Sequence, residues 1–137
     1  MSVDTFVLVD DQRLPDLAGL QKALDQAEAG MTLDAVDDLR MHTGFWPIDF
    51  KGRVSGFEWY YGTVADILGE TPPWSRGYSH VVQLVTFSEM HELVCALFVG
   101  GVLARLTHGK VYDPQGDEMT TGDESIRTAR QIEREEL

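Results

Sequence analysis

Apolar positions recur along this chain in two rhythms, and the changes of rhythm mark its elements. Thr5–Asp10 (TFVLVD) is apolar on both faces, as in a strand with neighbours on either side. After Pro15, Leu17, Leu20, Leu24 and Ala27 fall at helical spacing, with Pro15 opening the helix and Gly30 ending it. Residues 31–44 have no clear period. Met31–Leu33 has the makeup of a short strand and Ala35–Met41 that of a helical turn. Period-two alternation then appears twice, in Phe45–Phe50 (FWPIDF) and Val54–Tyr61 (VSGFEWYY), around Lys51-Gly52-Arg53. The pattern predicts a hairpin with Trp46, Ile48, Phe50, Phe57, Trp59 and Tyr61 turned inward. Asp49, Glu58 and Tyr60 then face outward, and Pro47 suits an edge strand.

Residues 62–78 read as a long irregular connection with a helical turn at Val64–Leu68 and a Thr71-Pro72-Pro73-Trp74 loop. Ser79–Phe87 (SHVVQLVTF) is apolar on both faces and predicts a central strand. Ser88–Gly109 follows, apolar nearly all round, which marks a buried helix. Thr86-x-x-Glu89 resembles a capping box and Gly109 a left-handed stop. Gly100-Gly101 costs about 1 kcal/mol of helix propensity per residue, a cost expected where another backbone comes close. Charged residues at both ends leave an apolar centre shorter than the ~20 residues of a membrane span. Lys110–Tyr112 reads as a short strand, Asp113-Pro114-Gln115-Gly116 as a turn, and Thr121-x-x-Glu124 as the cap of a last, peripheral helix. The whole is expected to be one domain over 1–137, of the α+β class. It should have a mostly antiparallel sheet, a long buried helix packed across it and peripheral helices.

Charge changes this picture more than composition does. The chain has 137 residues and a formal net charge of −12. Residues 1–38 hold nine acids against Arg13 and Lys22. Such a field repels nucleic acid and anionic membranes and speeds encounter with a basic partner. The single cysteine, Cys95, lies in the apolar helix and excludes an internal disulfide, which fits a reducing compartment. The first residues lack a basic n-region, so a cytoplasmic location is expected.

Candidate chemistry narrows by elimination. Asp10-Asp11 after the first strand invites comparison with receiver domains, but no later aspartate or lysine falls where that site needs one. The pair reads instead as a solvated strand end or a cap. His91 and Cys95 share a helix face at i, i+4, without two further ligands at metal-site spacing. No Gly-x-Ser-x-Gly, P-loop, dinucleotide fingerprint or basic stripe occurs. No cofactor, metal or catalytic residue is therefore expected. An enzyme would need several of His42, His80, His91 and His108 to converge on carboxylates.

The segments GFWPIDFKGRVSGFEWYY and LARLTHGKVYDPQGDEM have a recognisable layout. A Gly-hydrophobic-Pro segment is followed by a Gly-Phe-Glu-aromatic strand, an Ala/Leu-rich helix with a Leu-Thr-x-Gly turn, and an Asp-Pro-Gln strand exit. Over roughly residues 44–116 this resembles bacterial immunity proteins encoded beside polymorphic or type VI secretion toxins. The resemblance implies a non-enzymatic inhibitor that occludes the active site of a cognate toxin, whose cleft would be basic. A homo-oligomer is compatible with it. Alternatives are a small cytosolic enzyme with an unrecognised His/Asp/Glu pocket, and a non-catalytic adaptor of a secretion apparatus. Rigid charge and aromatics are what a blocker needs. The expected partner-binding residues are therefore Asp49, Glu58 and Tyr60 on the hairpin, Asp66, Glu70 and Trp74 in the loop after it, and Asp37 and Asp38 upstream.

Overall fold

The computed structural model describes residues 2–137. Seven strands form one sheet: β1 (Val3–Val9), β2 (Met31–Leu33), β3 (Gly44–Phe50), β4 (Arg53–Thr63), β5 (His80–Thr86), β6 (Lys110–Asp113) and β7 (Glu118–Thr120). Their order is β2-β3-β4-β5-β1-β6-β7, and every neighbouring pair is antiparallel. The helices are α1 (Leu17–Gln26), α2 (Val64–Leu68), α3 (Met90–Thr107) and α4 (Gly122–Glu136). The α+β expectation is met, with α3 packed on the sheet. β5 stands at the middle of the order and β1 beside it, as their two apolar faces required.

The main core lies between one sheet face and the helices. Val7, Trp46, Ile48, Phe57, Trp59, Val82 and Leu84 meet Leu20 and Leu24 of α1 and Val94–Val102 of α3. Trp46 and Trp59 are fully buried, edge to face at 5.2 Å. Over its length α3 reaches a mean hydropathy of 1.4, enough for a membrane span by composition, but 61 % of it is buried inside this fold. Gly100 faces Val7 and Leu84 of the sheet. A Cβ on Gly101 would stand 2.7 Å from the Gly122 carbonyl oxygen, so the glycine pair does mark a close backbone approach, that of α4.

Several local expectations change. The hairpin loop is Lys51-Gly52 alone, both at positive φ (54° and 84°), and Arg53 already pairs with Phe50. Pro47 is not on an edge strand, because β2 lies outside β3. Yet its carbonyl accepts from Asp34 N–H at 3.1 Å, so its nitrogen points past the end of β2 and no ladder bond is lost. Residues 34–43 form neither helix nor strand. α1 is capped by Asp16, and its left-handed residue is Glu28 rather than Gly30 alone. The Thr86–Glu89 capping box does not form. Glu89 is the N-cap without a side-chain capping bond, and Glu92 reaches back to Phe87 N–H at 2.9 Å. At the other end His108, at φ 55°, makes the left-handed stop in place of Gly109. The Thr121–Glu124 box does form, and β7 is a strand that the alternation left unread.

Cys95 is fully buried, and burial pushes its thiol up to about 12 against a lesser opposing pull from the Ser55 hydroxyl. Since the thiolate is the reactive form, native protein is expected to resist a thiol reagent at pH 8 until it unfolds. Stoichiometric labelling within the mixing time would contradict this packing.

Candidate functional site

The second face of the sheet is divided in two. Over β5, β1 and β6, α2 and the short 3-10 turn Pro73–Ser75 form a lid on Phe6, Leu8, Val81 and Tyr112. Trp74 stacks on Tyr112 at 4.0 Å and lies 5.6 Å from Phe6. Trp74 therefore is not a free aromatic offered by a loop, as expected from sequence, but part of a small second core. It folds inward because this half of the sheet is apolar on its outer face too. Asp66 and Glu70 are exposed on and just after α2, with the Asp66 N–H capped by Thr63 at 3.2 Å.

Over β3 and β4 the same face has no lid. There the register places Phe45 opposite Glu58, Pro47 opposite Gly56 and Asp49 opposite Val54. Phe45 is 53 % exposed and Val54 79 %. The Phe45 ring lies over Gly56, where any Cβ would strike both the ring and the Trp46 carbonyl. Glu58 accepts the Tyr60 hydroxyl at 2.6 Å. Its cross-strand partners are Phe45 and Val85, so no lysine or arginine answers it. Asp49 accepts the Gly52 N–H at 2.8 Å and so shapes the turn.

The loop 34–42 adjoins this face at Phe45 and Pro47. Buried tryptophans hold it: Trp46 Nε1–H donates to the Asp34 carbonyl at 2.9 Å and Trp59 Nε1–H to the Leu39 carbonyl at 3.0 Å. From the other side Arg40 is clasped by Asp11, through its side chain and its carbonyl. An irregular segment thus becomes a rigid one, because two indole donors in the core each need an acceptor. A cleft of about 420 Å³ results, lined by Asp34, Asp37, Asp38, Met41, His42 and Phe45 among others. Met41 is 76 % exposed at its rim. The His42 Nε2 is buried without a hydrogen-bond partner. Of the described ion pairs none takes Asp34, Asp37, Asp38, Asp49 or Glu58, while Lys51 and Arg53 are engaged by Glu133 and Glu89.

Phe45 thus links two groups predicted separately, Asp37 with Asp38 and Glu58 with Tyr60. Asp49 lies at the far end of the same hairpin face, and Asp66, Glu70 and Trp74 belong to the lidded half. Sequence reasoning missed Phe45 and Met41. Phe45 was legible, since turning Trp46, Ile48 and Phe50 inward turns Phe45 outward with Asp49.

A second polar cluster forms where β1 ends. Asp11 accepts from Arg40 and from the Tyr61 hydroxyl, and the His80 ring stacks on Tyr61 at 5.6 Å. Asp11 is thus not merely a solvated strand end. Ser79 Oγ lies 2.8 Å from His80 Nδ1, but His80 Nε2 is 4.0 Å from an Asp11 oxygen already taken by Tyr61 and Arg40. The Tyr61 bond, and then Arg40, hold the Asp11 carboxyl below its ordinary value against partial burial. Its folded value thus lies below its unfolded one, near 3.9. Asp11 contributes stability in full above about pH 4 and loses it as pH falls through the folded value. Asp11→Asn is expected to lose about 1 kcal/mol at pH 7 and to flatten the acid limb of a urea-midpoint profile. An unchanged acid limb would contradict the clasp.

His42, His80, His91 and His108 sit in four separate places: the 34–42 loop, β5, the start of α3 and its end. Among the described residues no three His, Cys, Asp or Glu side chains are grouped to hold a metal, and His91 faces Phe50 at 6.2 Å. No family model, curated protein or solved structure matches the chain.

Proposed function

We propose that this protein is an immunity protein, which binds a cognate bacterial toxin and covers its active site. The observation that carries the proposal is the continuous surface of the 34–42 cleft and the unlidded hairpin face. It sets carboxylates that enter none of the described ion pairs beside exposed Phe45 and Met41 and half-buried Tyr60. Such a surface suits a cleft lined by lysine or arginine. Carboxylates without internal cations steer a basic partner, and the aromatic and thioether groups fill apolar space once water is excluded. The backing is rigid, because Trp46 and Trp59 pin the loop, so little ordering entropy is lost on binding. The net charge of −12 points the same way. Histidines spread over four places support an inhibitor over the enzyme alternative, in which they would share a carboxylate-lined pocket.

The test is co-expression with the product of the adjacent gene. Growth should be restored when that product is toxic, and the two purified proteins should form a stable one-to-one complex. A toxic neighbour that is neither bound nor neutralised would defeat the proposal. An adaptor would bind a secretion component without rescuing growth.

A further inference from the structure

A groove of about 350 Å³ opens on the opposite side of the sheet, where α3 and α4 leave the β1-β6-β7 corner uncovered. Val3 and Val111 form its floor, Leu93 and Leu97 of α3 one wall, and Ile132 of α4 the other. Most of these side chains are only half-buried, although the chain has gathered them in one place. Three of the four hydroxyls around the groove are spent on nearby carbonyls: Ser125 donates to Leu97 at 2.8 Å, Thr128 to Glu124 at 3.0 Å and Thr120 to Val111 at 3.4 Å, leaving Thr5. The interior thus offers mainly aliphatic contact.

One end is different. Asp113 and Glu118 are direct cross-strand partners and both line the groove. Like charges directly opposed across a ladder repel. Asp113 accepts from the Gln115 N–H at 2.9 Å, whereas Glu118 enters no described ion pair. Among the described residues no lysine or arginine lines the groove. We propose that it is a binding site for a small cationic amphiphile, an aliphatic chain ending in an ammonium group. The chain would lie along Val3, Leu97 and Ile132, with the cation between Asp113 and Glu118. The size favours a small molecule over a helix, since it lies at the low end of ligand pockets. This site is independent of the toxin-binding face.

Hexylammonium, hexanoate and hexanol titrated into the full chain test it, with amide chemical shifts as the readout. Hexylammonium should produce saturable shifts confined to Val3, Leu93, Leu97, Val111 and Ile132 and their neighbours. It should bind roughly tenfold more tightly than hexanoate. Glu118→Gln, at an exposed strand position, should keep the fold and shrink that preference. Leu97→Phe should fill the groove and abolish the shifts. Equal binding of hexanoate or hexanol would overturn the cationic assignment. Shifts that do not saturate, or that lie elsewhere, would overturn the site, and so would an unchanged preference in a folded Glu118→Gln variant.

Discussion

Gly109→Ala should cost about 3 kcal/mol or more, a large share of the stability of a domain this size. Two residues carry the chain from the last turn of α3 into β6. His108 takes the left-handed turn, and Gly109 then passes against the backbone of β1, its N–H donating to the Ala104 carbonyl at 2.8 Å. A Cβ at Gly109 would stand far inside van der Waals contact with the Leu8 carbonyl oxygen. Both sides of that clash are backbone. Leu8 is held between Val81 of β5 and Lys110 of β6 and cannot retreat without breaking a ladder. Urea unfolding gives the measurement. Gly116→Ala serves as the control, because its Cβ would meet only the exposed Asp113 carboxylate at 3.1 Å, and it should stay within about 0.5 kcal/mol of the parent. His108→Gly separates the two roles further, since it relieves a left-handed non-glycine residue and should stabilise by up to about 1 kcal/mol. If Gly109→Ala proved mild while His108→Gly was neutral, this helix exit would be wrong.

If the protein is the immunity protein proposed above, Phe45→Ala should weaken binding of its toxin by about 2 kcal/mol, roughly thirtyfold in Kd. Phe45 sits at the centre of the proposed surface, between the 34–42 cleft and the Glu58–Tyr60 pair. Half its area is already exposed, so truncation removes little of the fold's own packing. Asp37→Lys on the rim of the cleft should act differently. Asp37 makes no described side-chain bond, and reversing a rim charge chiefly slows association and steepens the response to salt. Combined with Glu58→Lys the loss should grow, while thermal unfolding moves little. The distinction is kinetic and can be read from one set of surface-binding traces: dissociation for Phe45, association for Asp37. Full affinity in the Phe45→Ala, Asp37→Lys double variant would remove this face from consideration. Asp66→Lys, on the lidded half, is the matched surface control and should leave affinity unchanged.

Much of the fold was legible because period and chemistry agreed. The two-sided apolar strands could only be central, the all-round apolar helix could only be buried, and strict alternation set the hairpin faces. The candidate site was legible in fragments. Asp37 and Asp38 stood out by charge, and Glu58 with Tyr60 by parity, but nothing local joined them. Residues 34–42 show no period because their conformation answers to distant partners, the indole donors of Trp46 and Trp59 and the acceptor Asp11, which takes the Arg40 guanidinium. Trp74 illustrates the opposite failure. A proline-flanked aromatic signals exposure locally, and only the apolar outer face of Phe6 and Tyr112 turns it inward.

By itself the sequence determined the class of fold, the strand that lies at the centre, the buried helix, the hairpin and the acidic surface, since each follows from spacing of residue types within one segment. Tertiary structure alone decided which residue turns the chain after α3 and which half of the outer sheet face is lidded. It also decided where Arg40 finds Asp11, and that Phe45 joins the acidic loop to the hairpin. Most of those features depend on approaches between segments tens of residues apart. Steric exclusion and the need of buried donors for acceptors act there through space, and no local pattern carries them.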